Sequence, residues 1–117
     1  MQNYLTIDVE DYFQVSAFED VVSRRDWDAM EQRVRQNTNL ILQILKKYEF
    51  RATFFVLGWT AEKHPEVVRK IMADGHEIGC HSYWHRKIYD LTPQEFREDT
   101  LKAKAALERI CNKKITL

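Results

Sequence analysis

Three short apolar runs, residues 4–9, 52–57 and 76–80, alternate with stretches of helical period, and this alternation constrains the fold more than any other feature. Tyr4-Leu5-Thr6-Ile7-Asp8-Val9 is β-branched and apolar and ends in acids, as a buried strand does at its exit. Ala52-Thr53-Phe54-Phe55-Val56-Leu57 has the same character and is closed by Gly58. His76-Glu77-Ile78-Gly79-Cys80 reads as a third, shorter strand, and residues 114–117 begin to look like a fourth. The predicted order is βαβαβαβ. Such an order argues for an α/β fold of parallel strands with helices packed outside. Nothing covers the last strand, so the chain reads as the N-terminal portion of a larger barrel or doubly wound domain. Periodicity alone leaves both open.

The helices have unequal local signals. From Asp28 onward Met30, Val34, Ile41, Ile44, Leu45 and Tyr48 fall near one helical face. Residues 60–74 predict a second helix carrying Val67, Val68, Ile71 and Met72, with Gly75 placed as a left-handed C-cap. Thr92-Pro93-Gln94-Glu95 is the sharpest signal: an N-cap, a proline at the first helical position and a capping-box acid. Residues 10–27 are aromatic without a clean period and predict a long loop with one helical turn at most.

Composition excludes several classes. The 117 residues suit one domain or part of one, and 18 Lys+Arg balance 18 Asp+Glu. A formal charge of zero leaves no electrostatic case for nucleic acid or an anionic membrane as partner. No apolar run approaches the ~18 residues of a membrane span. The start, Met-Gln-Asn-Tyr-Leu-Thr-Ile-Asp, lacks the pattern of a signal peptide. Cys80 and Cys111 make neither a disulfide framework nor a zinc ribbon. The expected setting is a reducing cytoplasm.

Two clusters could carry chemistry. Asp8, Glu10 and Asp11 end the first strand, where side chains two apart share a face. A solvated acidic turn has the same pattern. His81-Ser82-Tyr83-Trp84-His85 follows the third strand, and two His four apart on a helical turn can chelate one divalent metal. Two unrelated surface or core histidines are the alternative. Position links the clusters, because both leave parallel strands at the same end, where α/β folds bind ligands. One carboxylate and two imidazoles leave room for water, as catalytic metal sites do. A further carboxylate could take that water's proton. Tyr12, Phe13, Trp59, Tyr83 and Trp84 surround these ends and suit sugar rings or plain core packing. His64 is expected to be exposed, His76 structural and Cys80 a small buried residue.

The strings Leu5-Thr6-Ile7-Asp8-Val9-Glu10-Asp11-Tyr12-Phe13, Ala52-Thr53-Phe54-Phe55-Val56-Leu57-Gly58 and residues 74–85 together resemble the polysaccharide deacetylase family, the NodB-homology group of carbohydrate esterase class four. The Asp-Val-Glu-Asp-Tyr-Phe string resembles the branch found with bacterial exosortase and exopolysaccharide loci. The resemblance implies a distorted (β/α) barrel, one divalent metal ion, most commonly zinc, and hydrolysis of N- or O-acetyl groups on an acetylated polysaccharide. It implies Asp8 as catalytic base and His81 and His85 as metal ligands, with Ser82 as their neighbour. Val9 replaces the family's second Asp, so Glu10 is the implied acidic ligand and Asp11 the runner-up. Of the aromatics at the strand ends, Tyr12 and Trp84 are the residues expected to bind the substrate.

The family's later motifs begin with an Arg-x-Pro segment after the fourth strand, and this chain ends at Ile115-Thr116-Leu117. The resemblance therefore implies a single incomplete domain over residues 1–117, with weak turnover or none. A non-catalytic metal-binding fragment and a related hydrolase of a small amide or imide are the alternatives. An open half-barrel would expose two sheet edges and an inner face, so self-association is expected unless the 12–27 loop covers that face.

Overall fold

The computed structural model describes residues 2–117. Three parallel strands, β1 (Thr6–Val9), β2 (Thr53–Val56) and β3 (Glu77–Cys80), lie in that order. Their register sets Ile7 beside Phe54 and Ile78, and Val9 beside Val56 and Cys80. α1 (Val34–Lys47) connects β1 to β2, α2 (Gly58–Lys63) and α3 (Pro65–Ala73) connect β2 to β3, and α4 (Pro93–Cys111) follows β3.

One sheet face is covered. Val9, Phe54, Val56 and Ile78 point into a core with Val34, Leu42 and Leu45 of α1, Val68 and Ile71 of α3, and Leu107 of α4. The other face carries Thr6, Asp8, Thr53, Phe55, Glu77 and Gly79, which alternate with the buried set. Phe55 is its one large apolar side chain, half-buried across Gly79.

The sheet does not close into a barrel, which corrects the barrel portion expected from the resemblance. Three strands form an open ribbon whose outer members, β1 and β3, are separated by β2. Three strands are too few for the outer two to meet and close the sheet. The expected fourth strand is also absent. Residues 114–117 have no strand pairing beyond one backbone bond, Cys80 N–H to the Leu117 carbonyl at 2.9 Å. Ile115 is buried in the core instead, with its N–H donated to Glu108 at 2.9 Å.

The helices depart from their expected bounds for identifiable reasons. Residues 10–27 are not a loop with one turn: 3-10 segments occupy Tyr12–Gln14 and Ser16–Phe18, and a third, Arg24–Ala29, begins within them. Helix α1 begins only at Val34, and Ile44 and Tyr48 lie outside its buried stripe of Val34, Thr38, Leu42 and Leu45. The single helix expected over 60–74 is two, broken at His64, because Pro65 has no N–H and disfavours helical backbone in the residue before it. Gly75 is the left-handed residue foreseen, at φ 81°. Its N–H bonds the Met72 carbonyl while that of His76 bonds Ile71, a Schellman arrangement. Thr92 and Glu95 form the capping box reciprocally, at 3.2 and 2.8 Å.

Residues 12–27 do not cover the open face, on which Thr6, Asp8 and Glu77 stay exposed. Phe13 and Trp27 join Leu57, Trp59, Tyr83 and Ala103 in a second, aromatic core at the C-terminal end of the strands. That packing walls one side of the acidic and histidine clusters.

Candidate metal centre

Parallel pairing runs one step past the strands. Leu57 donates to the Val9 carbonyl at 3.3 Å and His81 to Val56 at 3.2 Å. The first residues beyond β1 and β3, Glu10 and His81, are therefore brought level on either side of Leu57. Glu10 Oε2 lies 2.9 Å from His85 Nε2 and 3.4 Å from His81 Nε2. One donor atom from each of Glu10, His81 and His85 falls within 4.8 Å of the others. Asp8 Oδ2 is 3.9 Å from His81 Nε2, and its side chain is 55% exposed against 16% for Glu10, so Asp8 sits at the solvent side of the cluster.

The electrostatics are those of a cation site. Burial alone would push the Glu10 carboxyl up; the imidazoles of His81 and His85 outweigh it and hold it down to about 2. Glu10 in turn raises His85 against the opposing effect of burial. Glu10 Oε2, His81 Nε2 and His85 Nδ1 are buried without a hydrogen-bond partner. Buried polar atoms rarely stay unpaired. Two imidazole nitrogens and a carboxylate oxygen are the donor set a divalent ion of the zinc type takes, so these residues fit such an ion.

The histidines converge by a different backbone from the one expected. Residues 81–86 are not helical; Ser82 and His85 adopt left-handed φ of 57° and 54°, and the His85 N–H donates to Ser82 Oγ at 3.1 Å. The ring centroids end 5.2 Å apart.

Asp11, the runner-up ligand, has another task. It is buried, and its carboxylate accepts the N–H groups of Tyr12, Arg33 and Val34 at 3.1, 2.7 and 2.9 Å. Tyr12 is half-buried with the Arg33 guanidinium 4.7 Å from its ring centre. Trp84 packs on Trp27 and Tyr83 and borders a hollow of about 380 Å³ with Arg24, Arg25 and Arg86. A larger cavity of about 490 Å³ opens beside His81 and His85, bordered by Ile88, Leu91 and Phe96. Neither Tyr12 nor Trp84 is among its lining residues.

His64 is not exposed as expected; it is half-buried, with Nε2 3.0 Å from Gln32 Oε1. His76 is buried and accepts the Ala52 N–H at Nδ1, a structural role. Cys80 is half-buried, and burial pushes its thiol up. Two side chains that no local pattern marks, Arg24 and Asp99, bond the backbone of the histidine turn.

The profile of a family described as "Polysaccharide deacetylase" matches residues 16–117. A peptidoglycan-N-acetylglucosamine deacetylase of Bacillus cereus is 40% identical over 73 residues, 62% of this chain and 26% of that protein. A chitooligosaccharide deacetylase of a Bradyrhizobium species is 32% identical over 71 residues, 61% of this chain and 32% of the relative. The chain thus spans about a quarter to a third of these relatives. Among solved structures, the wild-type CE4 family pseudoenzyme BA3943 of Bacillus anthracis superposes with a TM-score of 0.70 at 27% identity, over 96% of this chain and 32% of that one. No helix among the described residues is long and apolar enough to cross a membrane. With the profile covering residues 16–117, and with Asp8 and Glu10 of the segment before it facing the histidines it does cover, the chain belongs to the polysaccharide deacetylase family.

Proposed function

We propose that the protein is a divalent-metal-dependent deacetylase that hydrolyses the C–N bond of N-acetyl groups on a glycan. The observation that carries this reading is the convergence of Glu10, His81 and His85, one donor atom of each within 4.8 Å of the others. These three residues would hold the ion, and zinc suits their oxygen and nitrogen donors. When bound, such an ion supplies Lewis acidity, which polarises an acetyl carbonyl and acidifies water.

Asp8 is the base in this reading. Its carboxylate is exposed, lies at the edge of the cluster and can accept the proton that water loses on attack. Water then adds its oxygen to the acetyl carbon, the C–N bond breaks as the proton taken up by Asp8 passes to the leaving nitrogen, and acetate and the sugar amine are the products. Tyr12 and Trp84, both half-buried, are the aromatics this reading assigns to the sugar, although neither lines the cavity beside His81 and His85. The matching relatives make N-acetylglucosamine polymers the first substrates to test. The Asp-Val-Glu-Asp-Tyr-Phe string adds acetylated exopolysaccharide.

Asp8→Asn should abolish acetate release from N-acetylglucosamine oligomers while zinc affinity stays within about twofold of wild type. Acetate release unchanged in Asp8→Asn would remove Asp8 from the reaction. The likeness to a pseudoenzyme favours a second reading, metal binding without turnover. Zinc binding that requires His81, together with no acetate release by the wild type, would establish it.

A further inference from the structure

We propose that Asp99 and Arg24 are positioning residues of the metal centre, which lock the 82–85 turn so that His81 and His85 both face Glu10. This rests on the reading of Glu10, His81 and His85 as metal ligands.

The turn is intrinsically unfavourable. Ser82 and His85 carry a Cβ in left-handed backbone, at φ 57° and 54°, and such residues hold that conformation only when their surroundings impose it. The backbone shows what imposes it. The Ser82 carbonyl accepts the Gly58 N–H at 2.8 Å, and the Tyr83 carbonyl accepts that of Trp59 at 3.3 Å. The Tyr83 and Trp84 N–H groups donate to the two oxygens of Asp99 at 2.7 and 3.2 Å. The Trp84 carbonyl accepts from Arg24 Nε at 2.8 Å, and the His85 carbonyl from Arg24 Nη2 at 3.3 Å. With the His85 N–H on Ser82 Oγ, every backbone polar group from the Ser82 carbonyl to the His85 carbonyl has a partner.

Four of those bonds come from the two charged side chains, and neither is placed for the benefit of its own segment. Asp99 is a buried carboxylate in the interior of α4, where Asp is a poor helix former. Arg24 reaches across 60 residues of sequence from the segment after β1. Glu19 holds it at 3.0 Å, and the same carboxylate meets Lys87, two residues past the turn, at 3.3 Å. Asp99 fixes the 82–83 and 83–84 peptides through their N–H groups, and the Arg24 fork fixes the 84–85 and 85–86 peptides through their carbonyls, so the backbone on both sides of His85, and with it the direction of its side chain, is held. Partners that orient ligands typically change metal affinity 10–100-fold when removed.

Cobalt(II), which has a visible spectrum sensitive to coordination geometry, is the probe. Asp99→Asn presents an amide N–H₂ to at least one backbone N–H, and Arg24→Ala removes the fork. Each variant should weaken cobalt binding by about tenfold or more and alter the intensity of its visible bands. Arg24→Lys should recover part of the affinity. Circular dichroism and melting with chelator present establish that the variants fold. Should Asp99→Asn fail to fold, Arg24→Ala decides, since its side chain is 30% exposed. A folded Arg24→Ala protein with wild-type cobalt affinity and spectrum, beside a His81→Ala protein that has lost the ion, overturns this proposal alone. Cobalt bound unchanged by His81→Ala overturns the metal reading, and this proposal with it.

Discussion

Asp11 Oδ2 accepts the backbone N–H of Val34 at 2.9 Å, so the residue that follows Glu10 caps a helix 23 positions away. The same oxygen takes the Arg33 N–H at 2.7 Å, while Oδ1 takes that of Tyr12. The carboxylate ties the exit of β1 to the entrance of α1, and Glu10 is held at its place in the cluster by a neighbour that cannot swing away.

Asp11→Ala should therefore lower folding stability by about 2 kcal/mol, since it strips a helix start of its acceptor and leaves buried N–H groups unpaired. Urea denaturation of the metal-free protein measures it. Stability within a few tenths of wild type would mean that water replaces the carboxylate.

His76 predicts a pH dependence. Burial, helped by the Arg51 charge, lowers its pKa from the ordinary value of 6.5, so the folded state keeps it neutral. An unfolded chain binds that proton more readily, and stability rises with pH wherever it does. His76 contributes fully above pH 6.5, and its contribution falls as the pH drops from there toward the folded value. His76→Gln should flatten this acid limb in urea midpoints measured at several pH values. Parallel wild-type and variant curves would exclude His76 as the source.

Gly58 has no room for a side chain. A Cβ there would lie 2.6 Å from Tyr83 Cδ2 and 2.8 Å from Ala103 Cα. Gly58→Ala should cost about 1–3 kcal/mol by overpacking, despite alanine's better helix propensity. A thermal melt equal to or above wild type would show that α4 shifts aside without penalty.

Metal should stabilise the fold by mass action. At free zinc a hundred times the dissociation constant, stability should rise by about 2.7 kcal/mol over the protein in chelator. Glu10→Gln keeps the shape and removes the charge of the one anionic donor, so most of this gain should vanish. Calorimetry with and without zinc reads both. A full zinc effect in Glu10→Gln would move the acidic ligand elsewhere, with Asp8 next in line at 3.9 Å from His81.

The sequence by itself determined what neighbours along the chain decide. The strands show in their β-branched apolar runs, α4 in its capping box and the end of α3 in Gly75, because each signal acts within a few residues. The convergence of Glu10, His81 and His85 into one candidate cluster was also legible, since the acids and the histidines follow parallel strands at the same end. What tertiary structure alone decided rests on partners distant in sequence. Asp11 could not be told from Glu10 as a ligand until Arg33 and Val34 came to it. The start of α1 waited on that same contact. The turn that joins His81 to His85 is left-handed at two residues with side chains, a conformation their own propensities oppose and that Asp99 and Arg24 bond in place. Residues 114–117 have strand-like composition, but a strand exists only where a neighbour supplies a ladder, and here Ile115 is drawn into the helical core instead.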